Sequence, residues 1–479
     1  MKKILLFLLA LSLLVVAVGC GGNKKPTGTT EPTSQTIQEG DPNKEYLENL
    51  PERDYGMDDF RILITTAYDS YYHLDEEDGA DSVEWACFTR NSVVEDKYKI
   101  SLNYTALDGN GTGATQFAAT IRNNAASDTP FDLVMGQGYY CLPLAAEGYL
   151  ADMAGSEYLH FDKDWYYSNI NQNCVINDKM YAACGDFVVS TIASTCGLWF
   201  NTQMKTALGI EENLYDLVDD GEWTLDVFEG MVKDVYQDVN YNFYADEGDL
   251  FGLSGPPQLA KFFFTSTENP VIRVGIDGIP SCEEYYNDRL INVFDNLLKF
   301  IKTDDVTSYN ANAQSINLYV NGQALFIGMT LGSLLFEEVR NCNWVGIVPF
   351  PKYDESQKDY ISPTMRTELF YIPSVANFER SCIVTEYLNY TTYTQFLPQF
   401  WDSALQLKAV DRPEDARMLS LIRETSEIGF DEIWCGFFNS ASNIVPNLVM
   451  NNNNMLASQW RSAKDSLEES LEILYESFE

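Results

Sequence analysis

Histidine is nearly absent: the 479 residues hold two, His73 and His160. A Ser-His-Asp or Cys-His pair, or a histidine-rich metal site, therefore has almost no material. No Cys-x-x-Cys pair occurs, so zinc ribbons and thioredoxin-like redox motifs are unsupported. Basic residues are scarce too, 31 against 71 acidic, for a formal charge of −40. Such a surface repels nucleic-acid phosphate and anionic membranes, so no nucleic-acid partner is expected. It suits a neutral or cationic ligand, or serves solubility alone. The glycine-rich loop from Asp108 to Gly113 lacks both the preceding apolar strand and the Lys-Ser/Thr of a phosphate loop, which removes a nucleotide role.

What is present begins with an address. Met1-Lys2-Lys3 is a short basic region, and Ile4 to Val18 is an apolar run of secretory length, short for a membrane span. It ends in Ala17-Val18-Gly19-Cys20, which resembles a bacterial lipobox with alanine where leucine is commoner. The expectation is a signal peptide over 1–19, lipidation at Cys20 and a flexible tether over 20–56. The mature protein is then a globular body held by acyl chains at the outer face of a membrane. Nine further cysteines remain. Buried free thiols are the default for them, with a Cys174–Cys184 disulfide left open.

The chain is arranged around Pro130 to Met153. Phe131 to Met135 has the apolar run of a buried parallel strand. Gly136 and Gly138 permit a sharp turn, and a helical segment closes at Gly148. A strand that stops at a glycine turn before a helix places its carboxyl end at a crevice, where ligands bind in α/β sheets. Further strands are expected at Phe60–Thr66, Ile100–Tyr104, Ala324–Ile327 and Trp344–Val348. Helices are expected at Glu84–Tyr98, Arg289–Lys302, Phe378–Leu397, Pro413–Glu424 and Ala457–Phe478. At this length, with 45% apolar residues, two lobes are the natural organisation.

Asp238, Asn240, Asn242, Asp246 and Asp249 fall at positions one, three, five, nine and twelve of an acidic loop. The spacing resembles the calcium loop of EF-hands and dockerins. Phe243 stands where the turn glycine should be, and Asp249 where a bidentate Glu should be. The loop reads either as a structural calcium site or as a solvated acidic loop, and no cofactor is required.

Several segments together resemble the extracellular solute-binding proteins of sugar-type ABC transporters, family 1. After the lipobox and tether come Phe131–Met153, Lys179-Met-Tyr-Ala182, Leu198-Trp-Phe-Asn201, Asn213–Phe228, Tyr319–Phe326 and Gly346–Pro351, in the family's order over most of residues 57 to 440. Leu325 replaces the usual methionine. The resemblance implies a two-lobed α/β periplasmic-binding-protein-like fold of type II. Lobe one would be 57–187 plus 362–400, and lobe two 188–361 plus 401–479. It implies a monomer that closes about a hinge on a mono- or oligosaccharide and hands it to permease subunits. Sugar rings need aromatic faces and polar rims. By position, the family pattern points to Tyr68, Asp69, Gln137, Tyr139 and Tyr140 in lobe one. It points to Asp186 and Ser194 at the crossing, and to Thr330 and Trp434 in lobe two. Trp199 and Trp223 are expected in the core. The alternatives are the same fold binding a peptide, a polyamine or a metal chelate, and an extracellular glycoside hydrolase with paired carboxylates. No motif supports the hydrolase.

Overall fold

Apolar runs become strands and amphipathic repeats become the helices that cover them. The structure, a computed structural model, describes residues 47, 50–72, 82–275, 277–308, 312–366, 368–406, 413–438 and 441–479. The expected signal peptide, Cys20, most of the tether and His73 lie outside the described residues.

In chain order the principal elements are β1 (Asp58–Thr65), α1 (Ser82–Tyr98), β2 (Ile100–Leu107), α2 (Thr112–Asn124), β3 (Leu133–Gln137), α3 (Val189–Ser194) and β4 (Cys196–Asn201). They continue with β5 (Phe251–Gly255), β6 (Val306–Ser308), α4 (Asn312–Val320), β7 (Ala324–Thr330), β8 (Val345–Val348) and β9 (Glu368–Tyr371). Last come α5 (Phe378–Thr391), α6 (Leu397–Gln406), α7 (Pro413–Glu424) and α8 (Leu456–Glu476).

Two sheets form. The first has the order β9-β3-β1-β2, with β1 parallel to β2 and β3 and with β9 antiparallel to β3. The second has the order β6-β5-β7-β4-β8, parallel through β7 and antiparallel beyond it. Central strands are buried along their length: Cys196 to Asn201 shows no exposed position, as a strand covered on both faces requires. β2, at an edge, keeps exposed polar positions such as Asn103.

The second sheet is sealed by rings. Phe228 meets Phe263, Phe300 and Phe326 at 5.0–5.7 Å, and Trp223 meets Phe228 at 5.7 Å. Trp199 and Trp223 are fully buried, as expected. Each large ring contributes roughly 1.5–3 kcal/mol by burial.

The chain crosses between the sheets more than once. Thr195 bridges Thr364, and Ser362–Pro363 runs parallel to Ser426–Glu427. Hydroxyls join these crossings, with Thr195 Oγ1 at 3.4 Å from Thr364 Oγ1 and 3.1 Å from Ser426 Oγ. Small hydroxyl side chains let the crossings lie close without a bulky core between them.

Two boundaries differ from expectation. The tether expected through residue 56 ends earlier: Leu50 is buried, and the Tyr55 amide donates to the Tyr98 carbonyl at 3.0 Å. The C-terminal part, expected wholly in lobe two, touches both sides. Phe430–Ile433 meets the Gly138–Cys141 turn of lobe one, and Asn177 donates to the Phe478 carbonyl at 3.0 Å. Among the described residues no helix is long and apolar enough to cross a membrane.

Candidate functional site

The carboxyl ends of β3 and β7 and the loop after β2 open onto one cleft of about 540 Å³. Lobe one contributes Asn110 and Gln137. The crossings contribute Ser194, Met365 and Arg366, and lobe two contributes Asn317, Thr330, Ser333, Phe336 and Glu338 among others. Gln137 is the last residue of β3 and pairs in register with Glu368 of β9. Glu368 is 2% exposed and accepts the Thr65 hydroxyl at 2.8 Å. Burial pushes its carboxyl up, while hydrogen bonds from Ser190 and Thr65 and the charge of Arg366 pull the other way. Arg366 Nη1 lies 3.9 Å from Glu368 Oε1 and donates to Asn110 Oδ1 at 3.3 Å. The Met365 amide donates to the Ser194 carbonyl at 3.0 Å, which fixes the cleft floor to both crossings. At the far wall Thr330 Oγ1 and Ser333 Oγ are 2.8 Å apart. A cleft bounded by two sheets and floored by their crossings can grip a small polar molecule from both sides.

No family model matches the sequence, and the search of curated proteins finds no significant match. Solved structures do match. The GacH receptor of Streptomyces glaucescens, solved unliganded and with acarbose, is 11% identical, with 87% of this chain and 99% of that one covered and a TM-score of 0.54. An ABC substrate-binding protein of Listeria monocytogenes in complex with cycloalternan is 12% identical, covering 87% and 99%, at TM-score 0.52. The maltose-binding protein MalE of the same organism, in complex with maltose, is 15% identical, covering 88% and 97%, at 0.50. The fold is that of ABC-transporter substrate-binding proteins. This is a two-lobed α/β fold of type II.

The structure places the expected site residues unequally. Gln137, Ser194 and Thr330 line the cleft, although Ser194 is buried and its hydroxyl donates to the Ser190 carbonyl at 2.5 Å. Tyr68 and Asp69 fall in the turn Thr66–Tyr71 that follows β1. Asp69 is not among the described lining residues, and the Tyr68 side chain is outside the described set. Tyr140 is buried, its ring 5.2 Å from Phe117. Tyr139 is half-buried and turned edge-on to Tyr140 at 4.8 Å.

Two expectations are corrected. Asp186 is fully buried, with Oδ1 and Oδ2 receiving Arg423 Nε at 3.1 Å and Nη2 at 2.7 Å. It is a structural ion pair, because the charge would otherwise be uncompensated in the interior. Trp434 is fully buried as well; its Nε1 donates to the Asn173 carbonyl at 3.0 Å, and its ring stacks on Phe430 and meets Phe478. It anchors the C-terminal segment. Sequence reasoning missed Asn110, Asn317, Ser333, Phe336, Glu338 and Arg366. Of these, Asn317 had a usable signal, lying two residues before the Tyr319–Phe326 segment already singled out.

The acidic loop is held by its own side chains. Asp238 accepts the amides of Asn242 at 3.2 Å and Phe243 at 2.9 Å, and Asp246 accepts the Gly248 amide at 2.8 Å and Asn240 Nδ2 at 2.9 Å. Asp249, fully buried, accepts the Val239 amide and the Tyr236 hydroxyl, each at 3.1 Å. Phe243 has φ of 65°, the left-handed conformation that the turn glycine usually supplies. Among the described residues no three His, Cys, Asp or Glu side chains group as metal ligands.

Proposed function

We propose that this chain is the solute-binding component of an ABC importer, which captures a carbohydrate between two lobes and delivers it, chemically unaltered, to permease subunits. The observation that carries this reading is the cleft. It lies between the lobes, at about 540 Å³ falls within the roughly 300–1,000 Å³ of ligand sites, and is lined by amides and hydroxyls that pair with sugar hydroxyls. Structures of the same fold holding acarbose, cycloalternan and maltose support the choice of solute. A solute that contacts both walls binds the closed form better than the open one, and only that difference shifts the hinge equilibrium. The N-terminal sequence supports the remainder of the proposal: tethering through lipidated Cys20 at the extracellular face.

A thermal-shift screen of mono- and oligosaccharides, peptides and polyamines tests it. A saccharide at a hundred times its dissociation constant should stabilise the fold by about 2.7 kcal/mol. A shift with a peptide or polyamine alone, or turnover of a glycoside by the purified protein, would contradict the proposal. Structural calcium in the loop Asp238–Asp249 is a separate proposal, supported by five oxygen-bearing side chains at the required spacing. Melting temperatures in calcium and in chelator should differ, and the difference should vanish in Asp238→Ala; equal temperatures would end it.

A further inference from the structure

The C-terminal segment is tied to both sheets at one small cluster of charges. Lys261 stands on the helix Leu259–Ser266, whose Phe263 packs on Phe228 at 5.2 Å and Phe350 at 5.0 Å in the core of the second sheet. Its partner, Glu432, stands on Phe430–Ile433, which lies against the Gly138–Cys141 turn of the first sheet. Lys261 Nζ is 2.9 Å from Glu432 Oε2, and the two side chains keep only 23% and 13% of their surface. The pair therefore joins elements seated on different sheets, in surroundings drier than those of an exposed ion pair. Burial pulls the Lys261 ammonium down, but Glu432 outweighs it and the net direction is up.

A further carboxylate stands beside this pair. Glu427 lies in the crossing where Ser426–Glu427 runs beside Ser362–Pro363. With Glu268, Asp431 and Glu432 it lines a cavity of about 30 Å³, which has room for water and none for a solute. The charged groups facing Glu427 are Glu268, just past the Lys261 helix, Glu432 on Phe430–Ile433, and Arg273 on the strand Arg273–Val274. Asp431 accepts the Ser442 amide at 3.0 Å, and Lys261 faces Asp431, Glu432 and the Cys435 thiol. A charge on Glu427 thus repels two carboxylates, one of them the Glu432 that Lys261 holds.

We propose that these groups form a proton-controlled strap between the sheets. With Glu427 neutral, the Lys261–Glu432 pair holds the C-terminal segment to both sheets; with Glu427 charged, the strap loosens and the sheets gain freedom to move against one another. The strap does not depend on the identity of the solute.

Loosening returns Glu427 to water, where its ordinary value is 4.5, against about 7 in the strap. Between those values loosening releases one proton, so the ratio of loosened to strapped form should rise about tenfold per pH unit. It should level off above the higher value. Pulsed electron resonance between spin labels reads this directly, on the protein without solute. The labels sit at Gln116→Cys on α2 and Ala207→Cys on the helix Thr202–Ala207, both exposed positions. The inter-label distance distribution should change between pH 5 and pH 8. Glu427→Gln should keep the pH 5 distribution at both, and Lys261→Met should show the loosened one at both. Glu268→Gln, which removes a repelling charge, should move the midpoint to lower pH. A parent distribution that is the same at both pH values, or a pH response that survives Glu427→Gln, would overturn the proposal.

Discussion

Asp186 and Arg423 show how a buried charge is kept. The guanidinium lies over the rings of Tyr167 at 5.0 Å and Tyr393 at 5.2 Å, and its Nη2 also donates to the Asp164 carbonyl at 2.6 Å. Burial pushes the Asp186 carboxyl up and the Arg423 charge opposes it. Removing one partner leaves the other charged in the interior, so Arg423→Met should cost about 3–5 kcal/mol in urea unfolding; a loss under about 1 kcal/mol would place the pair among exposed ones. A second residue makes stability depend on pH. Glu427, in the crossing beside Ser426, is pushed up to about 7 by burial, with Glu268 and Glu432 adding to the effect and Arg273 opposing it. Its folded value lies above the ordinary 4.5, so the unfolded chain binds fewer protons between the two values. This group's contribution is full below pH 4.5 and is lost as pH rises through about 7. Glu427→Gln should therefore gain on the parent steadily across that window; a gap that stays constant with pH would contradict the burial.

At the scale of elements, backbone contact decides more than side-chain pattern. A Cβ on Gly138 would sit 2.4 Å from the Ile433 carbonyl oxygen, and one on Gly436 would sit 2.2 Å from that of Tyr139. Alanine at either position forces two chain segments apart and should cost about 1–3 kcal/mol, read as a lowered denaturation midpoint. The acidic loop predicts the reverse: Phe243 is 88% exposed at φ of 65°. Phe243→Gly should be neutral or stabilising by up to about 1 kcal/mol. Pro413–Glu424 was legible in the sequence to the residue, because a helix-starting proline and a clear apolar repeat bound it. β5 was not among the expected strands, because two glycines interrupt the short run Phe-Gly-Leu-Ser-Gly. The glycines are there because Cβ atoms would strike Val232 at 2.6 Å and Leu259 at 2.7 Å. Between Thr191 and Phe200 the residues are apolar or small throughout, yet α3 ends at Ser194 and β4 starts at Cys196, since the chain changes sheets between them.

At the scale of the molecule, the cleft depends on where distant segments meet. Gln137 and Thr330 were legible because each ends an apolar strand run, and strand ends face the crevice. Arg366 and Asn110 were not, because their meeting depends on a crossing 256 residues from the lobe-one loop it reaches. Trp434 was misjudged for the same reason: its environment is built by Asn173 and Phe478, which are far apart in the sequence and meet only in the fold. Gln137 and Thr330 line opposite walls of the cleft, where the proposed saccharide would meet both. Titration calorimetry of the strongest saccharide against the parent and the Gln137→Ala, Thr330→Ala double variant tests that contact most directly. The account predicts saturable one-to-one binding, weakened about tenfold or more in a variant whose melting temperature is unchanged, as loss of two hydrogen bonds implies. Equal affinity in the two proteins would contradict it.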